Sequence, residues 1–298
     1  MRVASIALLA VLGCTVPAPG PAPAPEPPPP AKQNPSPMVE LTRAHERVVQ
    51  RPVNGERFTV NLLTKPVDVL ITPAAQSGAE VDLLIHFHGA PWLVMQAAED
   101  SGRPLVVAAV NLGAGSGRYA AAFNDDTVFA NLREQITARV PRIRKTYLTG
   151  FSAGYGAIRE ILKQNPDAID GVLLIDGLHT SYIPEAKPVA EGGTLDETNL
   201  APFVRFAERA MRGEKRFIVT HSEIFPGTFA STTETSDYLL KTLDLKRTPV
   251  VRWGPLGMQQ LSETRHGSFH VLGFAGNSAP DHVDQFHAIG TFLVPLFE

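Results

Sequence analysis

The sequence predicts an α/β domain in which helices cover both faces of a mostly parallel central sheet. Two observations carry this. Short, uninterrupted apolar runs such as "VDLLIHF" (81–87), "GVLLID" (171–176) and "RFIVTH" (216–221) have the composition of strands buried on both faces. Between them lie segments with apolar residues every three or four positions, as helices packed on such a sheet require.

The elements follow in order. "RFTVNLL" (57–63) and "VDVLIT" (67–72) are expected as early antiparallel strands, and "VDLLIHF" and "PLVVAAVNL" (104–112) as central parallel ones. In "DDTVFANLREQITARV" (125–140), Val128, Leu132, Ile136 and Val140 recur every four residues behind an acidic N-cap, which predicts a helix. "RKTYLTG" is the next strand and "SAGYGAIREILKQ" the next helix. "GVLLID", "APFVRFAERAM", "RFIVTH" and "TTETSDYLLKTL" then alternate strand and helix. "PVVRW" and "SFHVLGF" are the last strands, and "HVDQFHAIGTFLVPLF" the last helix. From Met38 onward there is no second linker and no repeat, so residues 38–298 are expected to form one domain.

The first 37 residues are of another kind. Arg2, the apolar "VASIALLAVLG" and Cys14 have the layout of an export signal, too short to span a bilayer as a helix. "VLGC" resembles the lipobox of bacterial lipoproteins, which implies cleavage before Cys14 (signal 1–14), a lipid on that cysteine and a membrane partner facing the periplasm or cell exterior. An ordinary signal peptide is the alternative. Residues 15–37 are a linker, and 17–37 hold eleven of the 26 prolines, a composition that favours an extended polyproline spacer. Cys14 is the only cysteine, which excludes an intrachain disulfide or a thiolate metal cluster. The net charge is −3, with no basic patch among aromatics, so nucleic acid is not an expected partner.

"YLTGFSAGYGAIREIL" (147–162) places Ser152 between Gly150 and Gly154 at a strand-to-helix junction. In Gly-x-Ser-x-Gly the turn is so sharp that side chains at the flanking positions are expected to clash, and the serine is pushed out over the following helix's N-terminus. Backbone N–H groups there favour a developing oxyanion. The plainer alternative is a serine N-cap after a glycine turn.

With strand, elbow and helix in this order, residues 58 to the end resemble the α/β-hydrolase superfamily. The resemblance implies an acid and then a histidine downstream of Ser152. His282, expected just before the final helix, fits the second. His287, His270 and His266 are read as a helix residue, a core histidine and a solvated turn. The acid is Asp176, ending an apolar strand, or Glu223 in "FIVTHSEIF". Asp176 is favoured because a carboxylate there is hard to explain otherwise. The resemblance further implies oxyanion donors from Ala153 and from Gly89 or Ala90 in "LLIHFHGAPW", with His88 propping that loop. "NLGAGSGRY" (111–119) is taken as a glycine-rich wall.

No cofactor is expected. A metal site from His86, His88, His221 and Asp281 is disfavoured, because alternate strand residues face opposite ways and a zinc-protease motif is missing. The implied activity is serine hydrolysis of a small or polymeric carboxylic ester, with residues 177–202 shaping the pocket. A peptidase or amidase of the same fold, or an inactive tethered binding protein, is the alternative.

Overall fold

Alternation along one strand explains the layering. In β3 (Glu80–Phe87) the odd-numbered Val81, Leu83, Ile85 and Phe87 join one apolar cluster, while Leu84 joins another on the opposite face. The computed structural model describes residues 44–140 and 142–298. The expected export signal, Cys14 and the proline-rich linker lie outside the described residues.

In chain order the remaining elements are β1 (Glu56–Val60), β2 (Val67–Ile71), α1 (Pro73–Gln76), α2 (Pro91–Asp100), β4 (Leu105–Val110), α3 (Ser116–Phe123), α4 (Asp126–Thr137), β5 (Arg142–Phe151) and α5 (Tyr155–Gln164). They continue with β6 (Gly171–Ile175), β7 (Tyr182–Ile183), β8 (Thr194–Leu195), α6 (Ala201–Met211), β9 (Arg216–His221) and α7 (Thr232–Thr242). β10 (Thr248–Trp253), β11 (Gln259–His266), β12 (Phe269–Phe274), α8 (Ala279–His287) and α9 (Ile289–Phe297) end the chain.

Ten strands form one sheet in the order β1-β2-β4-β3-β5-β6-β9-β12-β11-β10. The run from β4 to β12 is parallel, and both edges are antiparallel. This is the α/β-hydrolase fold. α3 to α7 contribute Phe123, Leu132, Ile158, Phe206 and Leu239 to one face, and α2, α8 and α9 contribute Val94, Phe286 and Leu293 to the other. Each such side chain, fully buried, contributes about 1.5–3 kcal/mol.

Several expectations are revised. The segment expected as one final helix is two, meeting at Ala288, and it begins at Ala279, so His282 lies in a first helical turn and not before it. Ser278 forms a capping box with Asp281, which starts that helix early. The glycine-rich wall becomes helical from Ser116. α2 and β11 were not foreseen: α2 begins at a proline behind the His-Gly turn, and β11 mixes polar residues on an edge hairpin. His266 is exposed beside that hairpin's turn, whereas His270 is only partly buried and meets Arg265 instead of filling the core.

One close approach fixes how α3 sits on α5. A Cβ added at Gly156 would lie 2.3 Å from the Ser116 carbonyl oxygen, whereas one at Gly117, the next residue along α3, would meet nothing within 4 Å. Gly156→Ala should therefore lower the melting temperature by several degrees. Gly117→Ala should raise stability by about 0.5–1 kcal/mol through the unfolded chain's lost freedom. Calorimetric melts of the two variants beside wild type check both signs.

Candidate active site

The site lies at the carboxyl ends of β3, β5 and β6. Six described non-glycine residues have positive φ, and three of them, His88 (70°), Ser152 (46°) and Asp176 (42°), follow these adjacent strands. Such conformations cost about 1–3 kcal/mol each and persist only where surrounding structure enforces them.

The enforcing contacts at Ser152 are visible. A Cβ at Gly154 would stand 2.1 Å from the Phe87 carbonyl oxygen, and one at Gly150 would stand 2.9 Å from Ile158 Cδ1 and 3.1 Å from the Gly154 carbonyl carbon. The flanking glycines are thus required by β3 and by the start of α5. A third glycine escaped the sequence reading. A Cβ at Gly177, just after β6, would lie 2.6 Å from the backbone N and O of Ser152.

Asp176 is 2% exposed. Its Oδ2 accepts from His282 Nδ1 at 2.7 Å and from Ser222 Oγ at 2.7 Å. Its Oδ1 accepts from the Ser222 N–H at 2.9 Å and from Thr232 Oγ1 at 2.7 Å. Burial alone would raise this carboxyl's pKa, but the bonds from His282, Thr232 and Ser222 outweigh it and hold the pKa well below the usual range. Because the folded value is depressed, the ionised carboxylate contributes stability that is present above the unfolded value of about 3.9 and lost as pH falls through the folded one. Ser222 and Thr232 were missed because hydroxyl residues at a strand end and a helix start have many ordinary uses.

Glu223 goes elsewhere: its backbone N–H donates to the Gly276 carbonyl at 2.8 Å, and its carboxylate accepts from the Gly276 N–H at 3.3 Å. His282 is held on a second side by Phe151, the residue before Ser152, with ring centroids 4.5 Å apart. His88 Nδ1 lies 3.0 Å from the Tyr119 hydroxyl, and its ring stacks on Phe151 at 5.9 Å. Burial first, and then the nearby His282, lower its pKa.

Two cavities meet at Ser152. A smaller one of about 260 Å³ is walled by Ser152, Asp176, His282, Ile224, Pro226 and Ala279, among others. A larger one of about 530 Å³ takes Ser152, Ala153, Tyr155 and Arg159 from the elbow and α5, Ser116 from α3, and Thr180, Ser181 and Asn199 from residues 177–202. His179 and Phe229 line both. Their rings meet edge to face at 5.0 Å, and burial keeps the His179 pKa low. Ala153 faces the larger cavity, while Gly89 and Ala90 line neither; Gly89 packs on the Phe286 ring, which a Cβ would approach to 2.5 Å.

The histidines once weighed for a metal are dispersed. His86 is buried, with Nδ1 2.8 Å from Thr149 Oγ1, its ring stacked on Phe286 and its pKa pushed down to about 3, chiefly by burial. His221 Nε2 lies 2.7 Å from an Arg247 guanidinium nitrogen. Asp281 approaches His45 and Asp284 instead, and Asp284 already accepts from His45 Nδ1 at 2.6 Å and Arg47 Nε at 3.0 Å.

No family profile and no curated protein matches the sequence. Among solved structures, an S-formylglutathione hydrolase of Staphylococcus aureus superposes with a TM-score of 0.47 at 12% identity, covering 83% of this chain and 99% of that one. The BES protein of Bacillus cereus gives 0.48 at 10% identity, covering 82% and 98%. Carboxylesterase CesB of Bacillus subtilis gives 0.42 at 11% identity, covering 82% and 93%.

Proposed function

We propose that the chain is a serine hydrolase that cleaves a carboxylic ester through an acyl-enzyme. The observation that carries this reading is the 2.7 Å bond between His282 Nδ1 and the buried Asp176 carboxylate, in a cavity shared with a serine in a strained elbow.

Ser152 Oγ attacks the ester carbonyl as its proton passes to His282 Nε2. Asp176 keeps Nδ1 protonated, which leaves Nε2 as the base, and stabilises the imidazolium that forms. The oxyanion is received by the Ala153 N–H, a donor that lowers the barrier by about 3 kcal/mol. His282 then returns the proton to the leaving oxygen, and water repeats the attack on the acyl-enzyme.

The export reading belongs to the same proposal: the domain is tethered outside the cell membrane through lipidated Cys14 and the proline-rich spacer. Cys14→Ala should shift the protein from the membrane to the soluble fraction in its natural type of host, and the intact chain should show a diacylglycerol mass on its mature N-terminus. Membrane retention of the variant would sink the anchor.

A fluorophosphonate probe should label wild type rapidly and Ser152→Ala not at all; a folded wild type that does not react points instead to a binding protein. The acid is tested separately. Asp176→Asn should lower kcat/KM on an activated ester by on the order of 10³–10⁴, and Glu223→Gln by less than about threefold. Because the Asp176 carboxyl is held below the ordinary range, the acid limb of the wild-type pH profile should not report its protonation. A reversed order of the two variants would move the acid to Glu223.

A further inference from the structure

We propose that the larger cavity binds the acyl part of the substrate and that Arg159 grips a carboxylate at the far end of it, so that the preferred substrates are esters of dicarboxylic acids in which the second carboxylate is free. The inference rests on the hydrolase reading above and deepens it.

The side of the cavity follows from the chemistry. A leaving oxygen must receive its proton from His282, so the leaving group occupies the smaller cavity, which His282 lines. The larger cavity lacks His282 but contains Ala153, the residue whose N–H receives the oxyanion, and is left for the acyl chain.

Its charge follows from the helix. Ser152, Tyr155 and Arg159 are spaced three and then four residues apart, which places them on one face of the elbow and α5, and all three line this cavity. Arg159 stands roughly 11 Å along the axis from Ser152, about two turns. It is the single Asp, Glu, Lys or Arg residue in the wall; the rest is Ser116, Thr180, Ser181, Asn199, aromatic rings and backbone. The Arg159 side chain is 16% exposed, and its guanidinium carbon lies 6.0 Å from the Tyr155 ring centroid.

Its available donors complete the case. Arg159 Nε donates to Glu160 Oε1 at 2.8 Å, and Glu160 also takes Lys163 Nζ at 3.0 Å on each oxygen. Two cations therefore share one carboxylate and retain one net positive charge. Among the described residues no other acceptor engages the Arg159 terminal nitrogens, which are the pair a planar carboxylate accepts from side by side. His179, the other ionisable group in this wall besides Tyr155, is kept uncharged near neutral pH by burial, so Arg159 alone sets the sign of the cavity.

The test compares the 4-nitrophenyl monoesters of pimelic and suberic acid with 4-nitrophenyl heptanoate and octanoate, each corrected for spontaneous hydrolysis. Wild type should favour the carboxylate-bearing esters about ten- to hundredfold in kcat/KM. Arg159→Gln should bring that ratio close to one, mainly through KM, and Arg159→Lys should retain part of it. In wild type the preference should shrink as sodium chloride is raised. A wild-type ratio of one or less, or a ratio that survives in Arg159→Gln, overturns the subsite while leaving the hydrolase reading intact. If Arg159→Gln does not fold, a salt-insensitive wild-type preference overturns it equally. Turnover of neither ester class, with no fluorophosphonate labelling, removes the hydrolase reading itself.

Discussion

A buried charge organises the carboxyl edge of this sheet. Asp176 ends β6 with 2% exposure, and an isolated carboxylate there would cost several kcal/mol. Four donors offset that cost, and they come from three separate parts of the chain: the end of β9, the start of α7 and the first turn of α8. Two other buried aspartates show the difference. Asp82 takes the two-pronged Arg144 guanidinium, and Asp284 takes Arg47 together with His45. Asp176 receives hydroxyls, one backbone N–H and an imidazole, so the one partner whose charge can change is His282.

Much of this was legible in the sequence, and the reasons are local. Apolar runs marked β3, β4, β6 and β9 because burial on both faces favours apolar side chains along most of each strand. The bounds of α6 and β9 agree to the residue with the periodicity, since each has a strong, uninterrupted pattern. Ser152 could be found because a strained elbow needs glycine at fixed spacing. What escaped depends on distance in the chain. Thr232 meets Asp176 across 56 residues, and nothing in "STTET" distinguishes that hydroxyl from an ordinary helix-start residue. Glu223 and Asp176 looked comparable as acids because both follow apolar strands. Only the third dimension turns one toward His282 and the other toward Gly276.

The glycines show that backbone proximity, more than turn flexibility, builds the setting of Ser152. Gly154 has ordinary helical φ, yet β3's last carbonyl leaves it no space for a side chain. Gly177 likewise holds no positive φ but touches the backbone of Ser152. Three neighbouring strand ends are thereby locked at van der Waals distance. A strained serine survives because its neighbours have nowhere to relax to.

The imidazole needs orientation in two senses, and two different interactions supply them. Asp176 fixes which nitrogen points inward, but a single hydrogen bond leaves the ring free to rock about it. Phe151 removes that freedom by lying 31° from the plane of His282 at 4.5 Å, and Phe151 itself is stacked on Phe286 at 4.8 Å, which in turn stacks on buried His86 at 5.1 Å. The column lies on the α8 face of the sheet and ties α8 to β3 and β5. Because Phe151 is bonded directly to Ser152, a shift of the elbow would carry the ring supporting His282 with it. Ser152 and His282 are therefore set by one packed unit, with the Asp176 carboxylate as its anchor and the aromatic column as its backing.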